Sequence, residues 1–137
     1  MKKLITSRKA EGYIDICIGI IALLSVMVLT LNIYSFLTLK QDMDEISEQL
    51  IEVATYTGCF GDDFNSRADS LKTQYFDFDV TPAAESYYNA SYKRVQLGNT
   101  MSVTVTVHTK LKGVGVVDIP ITATSKRSGI SEHYWKG

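Results

Sequence analysis

Ile16 to Leu39 is a run of 24 residues without a charged side chain, ICIGIIALLSVMVLTLNIYSFLTL. As a helix rising about 1.5 Å per residue it is roughly 36 Å long, against a bilayer core of about 30 Å, so it can span with some tilt. The rest of the chain is too small to surround a helix that is apolar all round, which disfavours a buried helix in a soluble protein. A cleaved secretory signal is disfavoured too. Its apolar region usually covers about 7–15 residues and is followed by a small-residue site, whereas this run is longer and ends in Thr38-Leu39-Lys40. A lipoprotein signal is excluded, because Cys17 precedes most of the apolar run and has Asp15 and Ile16 where small or aliphatic residues are needed.

The net charge of −1 hides an uneven distribution. Lys2, Lys3, Arg8 and Lys9 precede the apolar run. Lys40 follows it, and residues 41–63 then carry seven acids (Asp42, Asp44, Glu45, Glu48, Glu52, Asp62, Asp63) and no base. The excess of bases before the span marks the N-terminus as cytoplasmic and the C-terminal part as extracytoplasmic. Residues 64–137 have nine Lys or Arg against six Asp or Glu, too thin a basic excess for direct nucleic-acid binding. The 97 residues beyond the first 40 suffice for one small core.

The helix is expected to continue past the membrane. Met43, Ile46, Leu50, Val53 and Thr57 recur at steps of three and four, one apolar stripe on a helix over residues 11–57 with its transmembrane part at 16–39. Gly58 is the candidate C-cap. Residues 58–71 read as a loop from their Gly, Asp, Asn and Ser content. A period of two follows: Phe76, Phe78 and Val80, ended by Thr81-Pro82; a weaker strand over Tyr92–Leu97; Val103, Val105 and Val107, the clearest strand signal; a turn at Gly113-Val114-Gly115; and a returning strand with Val117, Ile119, Ile121 and Ala123. Pro120 makes that last strand an edge or a bulge. Residues 72–128 thus form a small antiparallel sheet domain, whose apolar face is the natural cover for the helix stripe. The expected class is α+β, a long N-terminal helix packed on a small antiparallel sheet. Residues 129–137 form a tail, in which Tyr134 and Trp135 either dock on the sheet, the favoured reading, or contact a partner.

No catalytic set emerges, and the chain is not read as an enzyme; no cofactor and no metal are called for. Cys17 and Cys59 are 42 residues apart, about 63 Å along a helix, and cannot pair within one chain. Cys59 is left as a passive thiol or, less favoured, an intermolecular or reactive one. Asp62-Asp63 with Asp69 could hold Ca²⁺, but a solvated loop is the simpler reading. Asn89-Ala90-Ser91 matches a glycosylation acceptor, a three-residue pattern of little weight. Tyr87, Tyr88 and Tyr92 form an aromatic cluster better suited to packing than to sugar binding.

The segment Arg8-Lys9-Ala10-Glu11-Gly12-Tyr13-Ile14-Asp15, set against the apolar run, is more informative. A short basic leader, a small residue and an acid five positions later resemble the type IV prepilin signature, and the chain is similar to the small pseudopilins of Tad-like systems (TadE-like) and to an uncharacterised Gram-positive family of such proteins. The resemblance is firmest over residues 8–57 and is architectural beyond. It implies a pilin-like fold, a leader of residues 1–10 removed by a prepilin peptidase between Ala10 and Glu11, and Asp15 as the fifth mature residue. Two departures stand out: Ala10 where the family prefers Gly, and Asp15 where it prefers Glu. A cut after Gly12 would restore Gly but place Cys17 fifth.

The physical role of the acid can be stated directly. A carboxylate costs about 2.5–3.5 kcal/mol at a bilayer centre, so it needs a partner when the helix enters an apolar bundle. A freed α-amine, with a pKa near roughly 7.7–8.0, supplies one. Asp15 of one subunit can pair with the Glu11 amine of its neighbour and fix the axial register. Gly19, Ala22 and Ser25, three apart, are expected to allow close helix approach. The resemblance implies a (pseudo)pilin subunit assembled through its apolar helix into a type IV or Tad-like pilus or secretion pseudopilus. The implied partners are copies of itself or other pilins, the prepilin peptidase, the inner-membrane assembly platform and the lipid bilayer; the implied location is the cell membrane, then an extracellular filament. The alternative is an unprocessed single-pass protein of the cell envelope that binds or scaffolds.

Overall fold

A computed structural model describes the backbone of residues 2–112 and 118–136 and the side chains of residues 11–110 and 118–136. The elements are α1 (Lys2–Thr57), α2 (Asp62–Gln74), β1 (Asp79–Ala84), β2 (Thr100–Lys112) and β3 (Asp118–Ile130). The three strands form one sheet in the order β1-β2-β3, and the class is α+β, a long apolar N-terminal helix with a small antiparallel sheet. Two compact units divide the chain: Met1–Phe36 with Leu111–Ile119, and Leu37–Lys110 with Pro120–Gly137.

The second unit holds the core. Met43, Ile46, Leu50 and Ala54 of α1 are fully buried, with Ser47 and Ile51 beside them, against Met101, Val103, Val105 and Val107 of β2 and Ala123 of β3. Burying each Leu, Ile, Val or Met side chain contributes about 1.5–3 kcal/mol. The stripe differs from the sequence expectation at its C-terminal end, since Val53 and Thr57 are only half-buried and Ile51 and Ala54 take the core positions. Steps of three and four from Met43 have a period of 3.5, while a straight helix turns in about 3.6 residues, so its buried face drifts around the barrel.

Gly58 ends α1 in the left-handed conformation, φ 68°, and its N–H donates to the Ala54 carbonyl at 2.8 Å. The expected loop over residues 58–71 is corrected to a short connection followed by α2. Asp62 and Asp63 in the first turn and Lys72 in the last complement the helix dipole. Phe64, Ala68 and Leu71 share one buried face, and Phe60 meets Phe64 edge to face at 5.2 Å.

β1 begins three residues later than Phe76 and runs through Pro82 instead of stopping there. Val80, Pro82 and Ala84 lie opposite Val105, Val103 and Met101. Because β1 is an edge strand, the missing Pro82 N–H costs no ladder bond. β3 is the other edge, so Pro120 sits where a proline is tolerated. The weaker strand expected over Tyr92–Leu97 does not form. Arg94 makes only isolated bridges, to Cys59 and Asn89, because this segment pairs with the α1–α2 connection: Val95 N–H donates to Gly58 at 2.7 Å and Phe60 N–H to Lys93 at 3.2 Å. The turn expected at Gly113-Val114-Gly115 lies outside the described residues. Gly129 and Ile130, expected in the tail, complete β3. Gly129 is required there because a Cβ would come 2.7 Å from the Thr55 methyl on α1.

Candidate functional site: the apolar half of α1 and its acidic start

From Glu11 to Leu24 every side chain of α1 is exposed, and large apolar side chains from Tyr13 to Leu37 stay outside the core. This helix is long and apolar enough to cross a membrane, and none of its apolar window is covered by the chain itself. A bare surface of this kind is suited to lipid or to other helices. Four polar side chains in the run bond back within the helix. Ser25, Thr30 and Ser35 donate to the carbonyls four residues back, at 2.8, 2.8 and 3.0 Å, and Asn32 does so at 3.1 Å. Such bonds hide polar hydrogens that would otherwise be costly in hydrocarbon.

Ala10, Glu11, Asp15, Gly19, Ala22 and Ser25 all fall within α1. At about 100° per residue, Asp15, Gly19 and Ala22 lie within roughly 60° of one another, while Ser25 is about 80° round from Asp15. Asp15, Gly19 and Ala22 thus share a face, and Ser25 is on its flank, its hydroxyl donating to the Ile21 carbonyl. A Cβ added at Gly19 or Gly12 would meet nothing within 4 Å, so both backbones are open to close approach. The Asp15 carboxylate is exposed and makes no ion pair among the described side chains.

Beyond the membrane-type segment, α1 is tied to β3 by a polar group of four side chains. Lys40 Nζ donates to the Thr124 carbonyl at 2.6 Å and lies 3.5 Å from Asp44. The Ser125 hydroxyl donates to Asp44 Oδ1, and its oxygen is 3.2 Å from that of the buried Ser47. The Ser125 hydrogen bond, with help from Lys40 and Arg127 and against partial burial, holds the Asp44 carboxyl below the usual carboxylate range.

A family described as "Domain of unknown function (DUF4320)" matches residues 20–136. The chain belongs to that family. No curated protein and no solved structure matches it. The DUF4320 match covers most of the apolar run, the helix stripe and the whole sheet, and begins after Asp15.

Among the described residues no group of three or more His, Cys, Asp or Glu is placed to hold a metal ion. Asp62, Asp63 and Asp69 lie on α2, and the Asn89 side chain caps its own turn by accepting from Ser91 and Tyr92 N–H at 3.0 and 3.3 Å. His108 is on the sheet, its Nδ1 3.1 Å from Thr122 Oγ1. Cys17 and Cys59 are both free thiols.

The tail does dock, though on the end of α1 and the 94–97 segment instead of the sheet. Trp135 Nε1–H points between the carbonyls of Gly58 and Val95, at 3.2 and 3.1 Å. Gln96 clamps the Trp135 backbone from both sides, accepting from its N–H at 2.7 Å and donating to its carbonyl at 2.9 Å. Arg94 lies over the indole at 4.3 Å, and the His133 ring packs against it at a tilt, centroids 4.3 Å apart. Tyr134 remains exposed. The fixing residues, Gly58, Arg94 and Gln96, carry no periodic sequence signal that would have announced them.

Proposed function

We propose that this DUF4320 chain is a pilin-like subunit, anchored in the cell membrane by the apolar half of α1, processed between Ala10 and Glu11 by a prepilin-type peptidase and assembled through that helix into a type IV or Tad-like pilus or secretion pseudopilus. The observation that carries this reading is an apolar helix left bare by its own chain, opening on Asp15 and running into a half whose single stripe is capped by a small sheet. A subunit that must exist first in lipid and then in a bundle of like helices needs that division.

Asp15 fits the requirements of assembly. Removal of residues 1–10 would leave Asp15 in the second turn of a shortened helix, close to the new N-terminal amine. In a bundle it would face the freed amine of a neighbouring Glu11, with Gly19 and Ala22 on the same face allowing the helices to approach. Lys2, Lys3, Arg8 and Lys9 hold the leader at the cytoplasmic face, and the sheet lies on the extracytoplasmic side.

The test is Asp15→Ala expressed in the native host. Membrane fractionation should show normal insertion, while sheared surface filaments or their periplasmic equivalent should lose the subunit. Assembly at the unsubstituted level would refute the pairing of Asp15 with the neighbouring amine.

A further inference from the structure

We propose that copies of this chain anchored in one membrane associate side by side, with Glu48 and Glu52 on the back of α1 in one copy meeting Lys126 and Arg127 on the edge strand β3 of the next. The first observation is a division of charge within the unit that holds the core. Residues 41–85 carry eleven acids and two bases, whereas residues 86–110 and 120–137 carry six bases and one acid. Glu48 and Glu52 are exposed, and at about 100° per residue they point roughly 180° away from the stripe of Met43, Ile46, Leu50 and Ala54. Lys126 and Arg127 are exposed on a strand that ends the sheet. None of these four charges makes an ion pair among the described residues.

The second observation is their level along α1. The Ser125 hydroxyl meets Asp44 and Ser47, and a Cβ at Gly129 would meet Ile51 and Thr55. Four strand residues, about 13 Å, thus accompany about seven residues of α1, roughly 11 Å, so β3 and this part of the helix run nearly parallel. Lys126 and Arg127 fall between those two contacts, level with Glu48 and one turn or less from Glu52. Copies inserted in the same orientation therefore present the cations of one at the height of the glutamates of the next, with no axial shift. Charge and level together select a second copy as the occupant. The two surfaces differ, so the contact is head to tail and continues into a ring or a helical row. An exposed ion pair contributes little by itself, but anchoring in one bilayer raises the effective concentration of the partners. This inference rests on the membrane-spanning reading of α1 and names an extracytoplasmic contact for the proposed assembly; it requires neither cleavage nor Asp15.

The experiment uses the full chain in phosphatidylcholine vesicles, with Cys17→Ala and Cys59→Ser. One chain carries Tyr56→Cys, exposed at the end of the glutamate face, and a second carries Ser128→Cys, exposed beside Arg127. A short bis-maleimide should cross-link the mixture several-fold more than either chain alone, because like surfaces do not meet in a head-to-tail contact. Lys126→Glu with Arg127→Glu in the Ser128→Cys chain should lower the yield several-fold, and Glu48→Lys with Glu52→Lys in the Tyr56→Cys chain should then restore it. Salt at about 1 M, where the Debye length is roughly 3 Å, should lower the yield of the original pair in the same way, a readout that needs no charge-reversed chain to fold. A mixed yield no higher than the single-chain yields, or one indifferent to salt, would overturn the proposal, as would charge reversal without effect. Release of the chain from the vesicles by alkaline carbonate would remove the membrane reading of α1 and the proposal with it, whereas full retention without mixed dimers would overturn the contact alone.

Discussion

Trp135 is the most incisive place to perturb the extracytoplasmic fold, because it is the chain's only tryptophan and the tail is held largely through it. Trp135→Phe keeps a ring beside Arg94 and His133 but removes the Nε1–H. Neither acceptor is orphaned: Gly58 still accepts from Val95 N–H at 2.7 Å, and Val95 still accepts from the buried Ser131 hydroxyl at 3.0 Å. The loss is then that of one shared neutral hydrogen bond, about 0.5–1.5 kcal/mol. Weakening of the cation–π contact adds at most about 0.5 kcal/mol. Trp135→Ala removes the packing as well and should cost about 3 kcal/mol, the lower end for a tryptophan truncation because the ring is half-exposed. For a domain of this size each kcal/mol moves the midpoint by about 4–8 °C. Thermal unfolding of the full chain in detergent, followed by tyrosine near-ultraviolet circular dichroism, should show the order wild type, Phe, Ala, with the Ala shift clearly larger than the Phe shift. A midpoint for Trp135→Ala equal to the wild type would refute a docked tail.

Other perturbations test other contacts. Gly129→Ala should destabilise by about 1–3 kcal/mol through overpacking against Thr55, and Thr55→Ala in the same chain should recover much of it; a double variant with purely additive losses would contradict the close approach. The Asp44 carboxyl, held low by Ser125, binds its proton less tightly folded than unfolded. Its contribution is therefore present above the unfolded value of about 3.9 and is lost as pH falls through the lower folded value. Asp44→Asn should flatten the acid side of the stability profile of the full chain in detergent; an unchanged acid limb would contradict the linkage. Leu50→Ala, at a fully buried site, should cost about 2–5 kcal/mol, whereas Val53→Ala, half-buried, should cost clearly less in the same melts.

What the sequence made legible follows from how long each physical signal runs unbroken. The apolar run at 16–39 and the alternation of Val103, Val105 and Val107 each persist over enough residues to admit one answer, and both are found as helix and strand. The stripe of α1 was legible at Met43, Ile46 and Leu50 but not at its end, since steps of three and four cannot tell a period of 3.5 from 3.6 until two more turns have passed. α2 was hidden because Gly61, Asp62, Asp63 and Asn65 are loop formers by composition. Asp62 and Asp63 serve instead at a helix start, and the one positive signal was the spacing of Phe64, Ala68 and Leu71. Tyr92–Leu97 alternates weakly and pairs with a connection far off in sequence, which no local pattern encodes. The same holds for Trp135, whose partners are a glycine carbonyl at a helix end and a glutamine. On α1, the spacing of Gly19, Ala22 and Ser25 reads as one face, but a strict step of three walks around the helix by about 60° each time, so helix geometry groups Gly19 and Ala22 with Asp15 more closely than with Ser25.

The central claim, that this is a processed pilin-like subunit, is tested most directly by the intact mass of the protein purified from membranes of its own host. The account predicts a chain that begins at Glu11, with or without a methyl group on the new amine. A chain still beginning at Met1 would contradict it and favour an unprocessed envelope anchor, and a cut after Leu39 would show that the apolar run serves as a secretory signal.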